Sequence, residues 1–332
     1  MTKQRLAIIG ATGSGLKRTI PALANSVTVE IVAIQGRNSE KIQTIREQHG
    51  IDRSYTKVQD LLADGGFDFV YVATPPFLHF ENLQAIAPLK TPIICEKPLA
   101  QNLAEAQRIY AMLKDYEAPF MLAHHLRHQP AMEDVKNAIK TGSLGEVTSM
   151  WCQWGFQLNQ SAPNASWKLR PDLGGYGPFS DAGVHMVDLA LHFLGNPSTV
   201  TSHEFRLAFP STNDNATALL CYKNCTAALN AAQNMAVPGN HLLIYGTKGK
   251  IEAFAAFGEK STKEVHFHTG INLESRQYPV INLYGAEVEN FAAVLTGSAT
   301  DHPGTTLLEA LTAAKVLDAI QTSAETGAHV LL

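Results

Sequence analysis

The sequence predicts two domains: an α/β domain built on a parallel sheet, followed by an α+β domain with a large, mostly antiparallel sheet. Two observations predict this. Over residues 1–123 short apolar runs alternate with longer helical patterns, whereas beyond 124 the apolar residues recur every second position. Parallel strands need long crossovers, so strand-sized runs separated by helices read as βαβ units. The runs are Leu6-Ala7-Ile8-Ile9, Glu30 to Ile34, Phe67 to Ala73, Pro92 to Cys95 and Phe120 to Ala123. Helices are predicted near 16–25, 39–49, 79–88 and 102–117.

In the second domain, 124–332, a helix near 130–141 precedes two-residue alternation from Glu146 to Leu158 and from Thr199 to Leu207. Further strands are predicted at 216–222, 225–233, 241–246, 250–256, 263–269 and 276–281. Lys223-Asn224, Pro238-Gly239 and Gly246-Thr247-Lys248-Gly249 read as turns between them. Helices near 180–194, 285–296 and 305–323 complete the domain, the last able to pack back on the first domain.

A chain of 332 residues with 45% hydrophobic and 17% charged side chains buries a large core. Its net charge of −4 argues against nucleic acid or an acidic membrane as partner, because both favour a positive surface. A small molecule is the expected partner. Met1 to Arg5 runs directly into a strand-like segment, and Cys95, Cys152, Cys221 and Cys225 are too scattered for a disulfide framework. Reduced thiols and a cytoplasmic location are expected. No metal is expected: Cys221 and Cys225 flank a turn, and the cluster His124, His125, His128 lacks a nearby carboxylate or thiolate. His266 and His268 read as surface residues on one strand face.

Chemistry enters at Gly10-Ala11-Thr12-Gly13-Ser14-Gly15, between the first strand and the first helix. Glycines there let the backbone approach a pyrophosphate, and the helix N-terminus supplies free N–H groups. The position marks the first domain as a Rossmann dinucleotide-binding domain. One departure is that Thr12 stands where the middle glycine of GxGxxG belongs, with Gly13 offset by one. At the end of the second strand an NAD-type site carries an Asp or Glu for the ribose hydroxyls. This chain has Gly36-Arg37-Asn38-Ser39 instead. Arg37 fits a 2′-phosphate, with Asn38 and Ser39 as neutral donors, so NADP(H) is favoured over NAD(H). The plainer reading of Arg37 is a solvated residue at a helix start.

Ala73-Thr74-Pro75 with His79, and Glu96-Lys97-Pro98, follow strand C-termini, the edge where open parallel sheets bind ligands. Later, Gly174-Gly175-Tyr176-Gly177 leads into a helical run whose Asp181, His185 and Asp188 share one face by spacing.

With these residues the chain resembles the glucose-fructose oxidoreductase and inositol dehydrogenase (Gfo/Idh/MocA) family. The resemblance extends through Gly142-Ser143-Leu144-Gly145-Glu146, Trp167, Arg170, Gly246-Thr247-Lys248-Gly249 and Glu287-Val288-Glu289-Asn290-Phe291. It implies that Lys97 and His185 face the substrate carbon near the nicotinamide, with Asp181 binding a hydroxyl or orienting the imidazole. It also implies that Thr74, Pro75, His79 and Glu96 line the cofactor, and that Trp167, Arg170 and Tyr176 lie on a loop covering cofactor and substrate. Arg127 is a further substrate candidate.

Moving a hydride onto a carbonyl leaves an oxyanion that needs a proton, and a positioned acid is worth roughly 10² to 10⁴ in rate. Histidine suits that proton exchange near neutral pH, and an ammonium suits charge stabilisation. His185 is therefore read as the acid/base and Lys97 as its electrostatic partner, although exchanged roles leave the same sequence. The expected activity is hydride transfer at a hydroxyl or carbonyl carbon of a sugar, polyol, cyclitol or related molecule. The resemblance also admits a dinucleotide-dependent glycosidase acting by transient oxidation, and a cofactor-sensing regulatory protein, against which the pair Lys97 and His185 speaks. A homodimer or homotetramer through the second-domain sheet is expected.

Overall fold

A computed structural model describes residues 2–161, 165–209, 212–299 and 304–332. The first sheet has six strands: β1 (Gln4–Ile9), β2 (Val29–Gln35), β3 (Arg53–Tyr55), β4 (Phe69–Val72), β5 (Ile93–Glu96) and β6 (Phe120–Ala123). Their order is β3-β2-β1-β4-β5-β6, and every pairing is parallel. The order reverses between β1 and β4, the switch point outside whose strand ends such sheets bind nucleotides. Strands covered on both faces read as unbroken apolar runs, which is why β1, β2, β4, β5 and β6 are legible in the sequence. The polar edge strand β3 and the helix Val58–Asp64 carry no such signal and are absent from the expected elements. The helix expected near 16–25 is a π turn, Gly15–Thr19, continued by one α turn, Ile20–Leu23.

The second sheet has nine strands: β7 (Val147–Gln157), β8 (Thr199–Phe205), β9 (Asn215–Cys221), β10 (Thr226–Ala232), β11 (Asn234–Gly246), β12 (Gly249–Phe254), β13 (Glu264–Thr269), β14 (Asn272–Gln277) and β15 (Val330–Leu331). The order is β14-β13-β12-β11-β7-β10-β9-β8-β15, antiparallel except for the parallel pair β7 and β10. Two expectations are corrected here. Pro238-Gly239 is not a turn between strands but lies inside β11, where the register with β7 is irregular between Asn234 and Gly239. Proline lacks a ladder donor, so an irregular stretch is where a strand tolerates it. The strand expected at 276–281 runs instead over Asn272–Gln277, turned by Gly270 with φ 60°.

The chain divides into two compact units. The first comprises Met1–Ala100, Ala104–His125 and Asn282–Leu311; the second comprises Gln101–Leu103, Leu126–Ile281 and Thr312–Leu332. The first unit thus recruits the helix Leu283–Leu295, which buries Leu283, Val288, Phe291 and Ala292 at helical spacing. Asn282 caps it, its side-chain oxygen accepting from the Tyr284 and Gly285 N–H groups. Phe291 packs on Phe69 of β4 with ring centroids 5.9 Å apart.

Candidate active site

The glycine turn assigns a different job to each glycine. Gly10 has φ 84°, and a Cβ there would lie 2.7 Å from Thr74 Cγ2. At Gly15 a Cβ would press on Ile8 and Ala73 at 3.3 and 3.4 Å, so this glycine lets the first helical turn pack on β1. A Cβ at Gly13 would meet nothing within 4 Å. Gly13 therefore offers bare backbone to a ligand, one position later than GxGxxG would place it. The Gly10 and Ala11 N–H groups donate to the Gln35 carbonyl at 3.1 and 2.9 Å. The buried Gln35 side chain adds a bond from Gly10 N–H to Oε1 at 3.2 Å and donates to Thr56 O at 2.9 Å. Gln35, absent from the sequence candidates, thus braces the phosphate turn, and no local motif announces it. Ser14 precedes the π turn, its hydroxyl accepting from Arg18 at 3.2 Å.

These geometries separate two substitutions. Gly10→Ala forces alanine into the left-handed region and against Thr74, and is expected to destabilise the unit by about 1–3 kcal/mol. Gly13→Ala is expected to leave the thermal midpoint unchanged while weakening dinucleotide binding. Thermal unfolding beside NADPH fluorescence titration of the two variants checks both.

At the end of β2, Gly36 is required because a Cβ would lie 2.7 Å from Thr12 Cγ2. Arg37 follows it, exposed and with no protein partner among the described residues. Asn38 caps the helix Ser39–His49, its Oδ1 accepting from Lys41 N–H at 2.8 Å. Its oxygen is engaged, and its amide N–H groups are the donors it can offer. Lys41, a second cation in this first turn, donates to the Thr12 carbonyl at 3.2 Å and was not singled out by the sequence.

The loops after β4 and β5 are tied together by His79. Expected at the cofactor, its ring is fully buried, with Nε2 2.9 Å from Thr74 O and Nδ1 3.1 Å from Leu99 O. Burial lowers its pKa, against the pull of the Thr74 and Leu99 carbonyls. His79 is thus corrected from a cofactor contact to a buried ring packed between two backbone loops, the single N–H of its neutral form donating to one of the two carbonyls. Asn82, one turn on, donates to Thr74 Oγ1 at 3.0 Å. Glu96 is likewise turned inward: its Oε1 accepts from the Tyr71 hydroxyl at 3.0 Å and its Oε2 from Lys97 N–H at 3.2 Å. The Lys97–Pro98 peptide bond is cis. Pro75 leads into the short turn Pro76–Leu78 that starts the helix His79–Ile86.

In the second unit Asp181 lies in a π turn, Phe179–Gly183, which continues as the helix Val184–Leu194. Gly183 is needed there, because a Cβ would strike the Phe179 ring. Asp181 Oδ2 accepts from Lys168 Nζ at 2.5 Å and from Gln233 Nε2 at 3.5 Å. His185 is buried beside Trp154, ring centroids 5.5 Å apart. Lys168, Gln233 and Trp154 are thus neighbours of the catalytic candidates that sequence reasoning missed. Trp154 lies in β7 and Gln233 in the bend between β10 and β11, both distant in sequence from Asp181 and His185, and they leave no local signal.

Three other expectations are revised. Arg127, expected at the substrate, forms a bidentate pair with Asp188, Nε to Oδ2 and Nη2 to Oδ1 both at 2.8 Å. The two side chains are 3% and 1% exposed, so this is a core ion pair. Arg170 is exposed and pairs with Asp172 at 2.5 Å. The cation this segment turns inward is Lys168, whose Nζ also lies 5.8 Å from the centroid of the half-buried Trp167 ring. Tyr176 is buried, and burial followed by the Asp318 charge pushes its phenol pKa up, which places it in the core of its unit. Among the described residues no group of three or more His, Cys, Asp or Glu side chains is arranged to hold a metal ion.

Residues 4–124 match the oxidoreductase family with an NAD-binding Rossmann fold (GFO/IDH/MocA), and residues 132–252 match the C-terminal domain of the same family. The chain is a GFO/IDH/MocA oxidoreductase. It is 29% identical over 328 residues to D-xylose 1-dehydrogenase (NADP(+)) 2 of Haloferax volcanii, covering 98% of each chain. It is 30% identical over 226 residues to D-apiose dehydrogenase of Rhizobium rhizogenes, covering 68% of this chain and 64% of that one. Its fold matches aldose-aldose oxidoreductase from Caulobacter crescentus, crystallised with glycerol, at a TM-score of 0.88 with 24% identity over the whole of both chains. It also matches levoglucosan dehydrogenase, solved with NADH and levoglucosan, at 0.87 with 20% identity over 99% of both. Among the described residues no helix of this oxidoreductase is long and apolar enough to cross a membrane.

Proposed function

We propose that this oxidoreductase transfers a hydride between NADP(H) and a hydroxyl or carbonyl carbon of a neutral sugar, polyol or cyclitol. The observation that carries the reading is the paired geometry of the phosphate turn and the strand that follows it: bare backbone at Gly13, and an exposed Arg37, without a partner among the described residues, where a ribose-binding carboxylate would stand. The named substrates of the similar dehydrogenases, D-xylose and D-apiose, supply the sugar class. When bound, the nicotinamide accepts or gives the hydride, and the chain's own groups handle the charge and the proton. His185 takes the proton from the substrate hydroxyl, or returns it to the carbonyl oxygen. The Lys97 ammonium is assigned the role of steadying developing negative charge. Asp181, held by Lys168 and Gln233, accepts a hydrogen bond from a substrate hydroxyl.

The experiment is a panel of aldoses, polyols and cyclitols assayed with NADP+ and with NAD+. Preference for NADP+ is expected. Arg37→Ala is expected to remove about 2 kcal/mol of phosphate binding, roughly thirtyfold in KM for NADP+, with KM for NAD+ unmoved. Equal losses with both cofactors would refute the assignment of Arg37.

The outer face of the second sheet is the proposed contact for a homodimer or homotetramer. One cross-strand row there brings Leu243, Trp151, Ala228 and Leu219 into register, with Trp151 55% exposed. Light-scattering mass in solution tests it, a monomeric mass being the refuting result. A cytoplasmic location is the corresponding proposal, consistent with four thiols that form no disulfide.

A further inference from the structure

Glu96 poses a problem that the proposed chemistry does not answer. It stands at the C-terminal tip of β5, an interior strand of the parallel sheet, 8% exposed, in a core made mostly of aliphatic and aromatic side chains. Burying a carboxylate is costly, and an apolar residue of the same size would usually serve stability as well or better. Both oxygens are nevertheless engaged. Tyr71 on β4 pairs with Ile94 on β5, so Tyr71 and Glu96 lie diagonally on the same sheet face, two residues apart along β5. That diagonal lets the fully buried Tyr71 hydroxyl donate to Glu96 Oε1 at 3.0 Å. The other oxygen accepts the Lys97 N–H at 3.2 Å.

We propose that Tyr71 and Glu96 are positioning residues for Lys97: the phenol orients the carboxylate, which fixes the Lys97 backbone and places an anion one residue from its ammonium. The arrangement has a fixed sense. Burial and then the charges of Glu96 and of Glu287, on the helix covering this face, hold the Tyr71 phenol protonated, so it is a permanent donor. Glu96 must therefore present acceptors to two donors, which a carboxylate does without choosing between its oxygens. Neither residue touches substrate in this scheme. Their effect passes through where Lys97 sits and how its charge is balanced, and a small displacement of such a group is costly in rate. The inference rests on the catalytic reading of Lys97.

Two isosteric variants separate bond from charge. Tyr71→Phe deletes one hydroxyl and leaves the carboxylate. Glu96→Gln deletes the anion at the same size: its oxygen can still accept from Lys97 N–H, and the Tyr71 hydroxyl must then turn to accept from the amide. With NADP+ and the best aldose of the panel, Tyr71→Phe is expected to lower kcat about tenfold and Glu96→Gln about a hundredfold. KM for NADP+ and for the sugar should stay within about twofold, whereas general loosening of the sheet edge would raise KM for NADP+ as well. If Glu96→Gln fails to fold, Tyr71→Phe decides the matter alone. Wild-type kcat in the folded variants, or a raised KM for NADP+ with unchanged kcat, overturns the proposal. Lys97→Ala in the same assay keeps the two readings apart. If it is inactive while Tyr71→Phe and Glu96→Gln match the wild type, positioning falls alone. If it turns over normally, or the wild type is inert across the panel, the catalytic reading falls and takes this inference with it.

Discussion

Lys97→Ala is expected to lower kcat by roughly 10² to 10⁴ while NADPH still binds, because a positioned ammonium acts on charge that develops only during reaction. The phosphate turn and Arg37 lie on other loops of the first unit, so the dinucleotide keeps its anchors. Fluorescence titration with NADPH beside steady-state kinetics makes the comparison. Binding lost in parallel with turnover would instead make Lys97 a cofactor-holding residue. The expectation is sharpened by its surroundings: the loop carrying Lys97 is held by Glu96 on one side and, through Leu99, by His79 on the other. A loop packed against two buried side chains loses little shape when one lysine is truncated.

The second large effect concerns stability. Asp188→Ala is expected to cost about 3–5 kcal/mol, because it leaves the Arg127 guanidinium buried without its anion. The pair is bidentate, with both bonds at 2.8 Å and almost no exposure on either side, so solvent cannot substitute for the carboxylate. The double variant Arg127→Met with Asp188→Leu should recover most of the loss, since replacing both charges removes the desolvation penalty together with the attraction. Chemical denaturation of the single and double variants measures both terms. A single variant within about 1 kcal/mol of the wild type would mean that the guanidinium finds water or another acceptor.

These two residues show what sequence can and cannot convey. The parallel sheet was legible because β1, β2, β4, β5 and β6 are apolar on both faces, and such runs need no knowledge of their neighbours. The edge strand β3 was not, because Arg53-Ser54-Tyr55 is half-buried and polar. The glycine turn was legible as a motif, but that Gly13 serves as the open glycine required the backbone path through the π turn. Residue types at the site were legible and side-chain directions were not. Arg127 looked like a ligand-binding cation because its partner lies 61 residues away. His79 looked like a cofactor contact because both of its partners are backbone carbonyls, which every residue possesses. Arg170 and Lys168 are two positions apart, and only their partners, Asp172 and Asp181, show which of them turns inward.

The most direct test of hydride transfer to NADP+ uses a sugar deuterated at the carbinol carbon that is oxidised. With wild-type enzyme, NADP+ and a labelled aldose of the panel, the account predicts NADPH carrying the deuterium on its nicotinamide ring, formed one for one with oxidised sugar. Deuterium released to water, or sugar consumed without any NADPH, would contradict it.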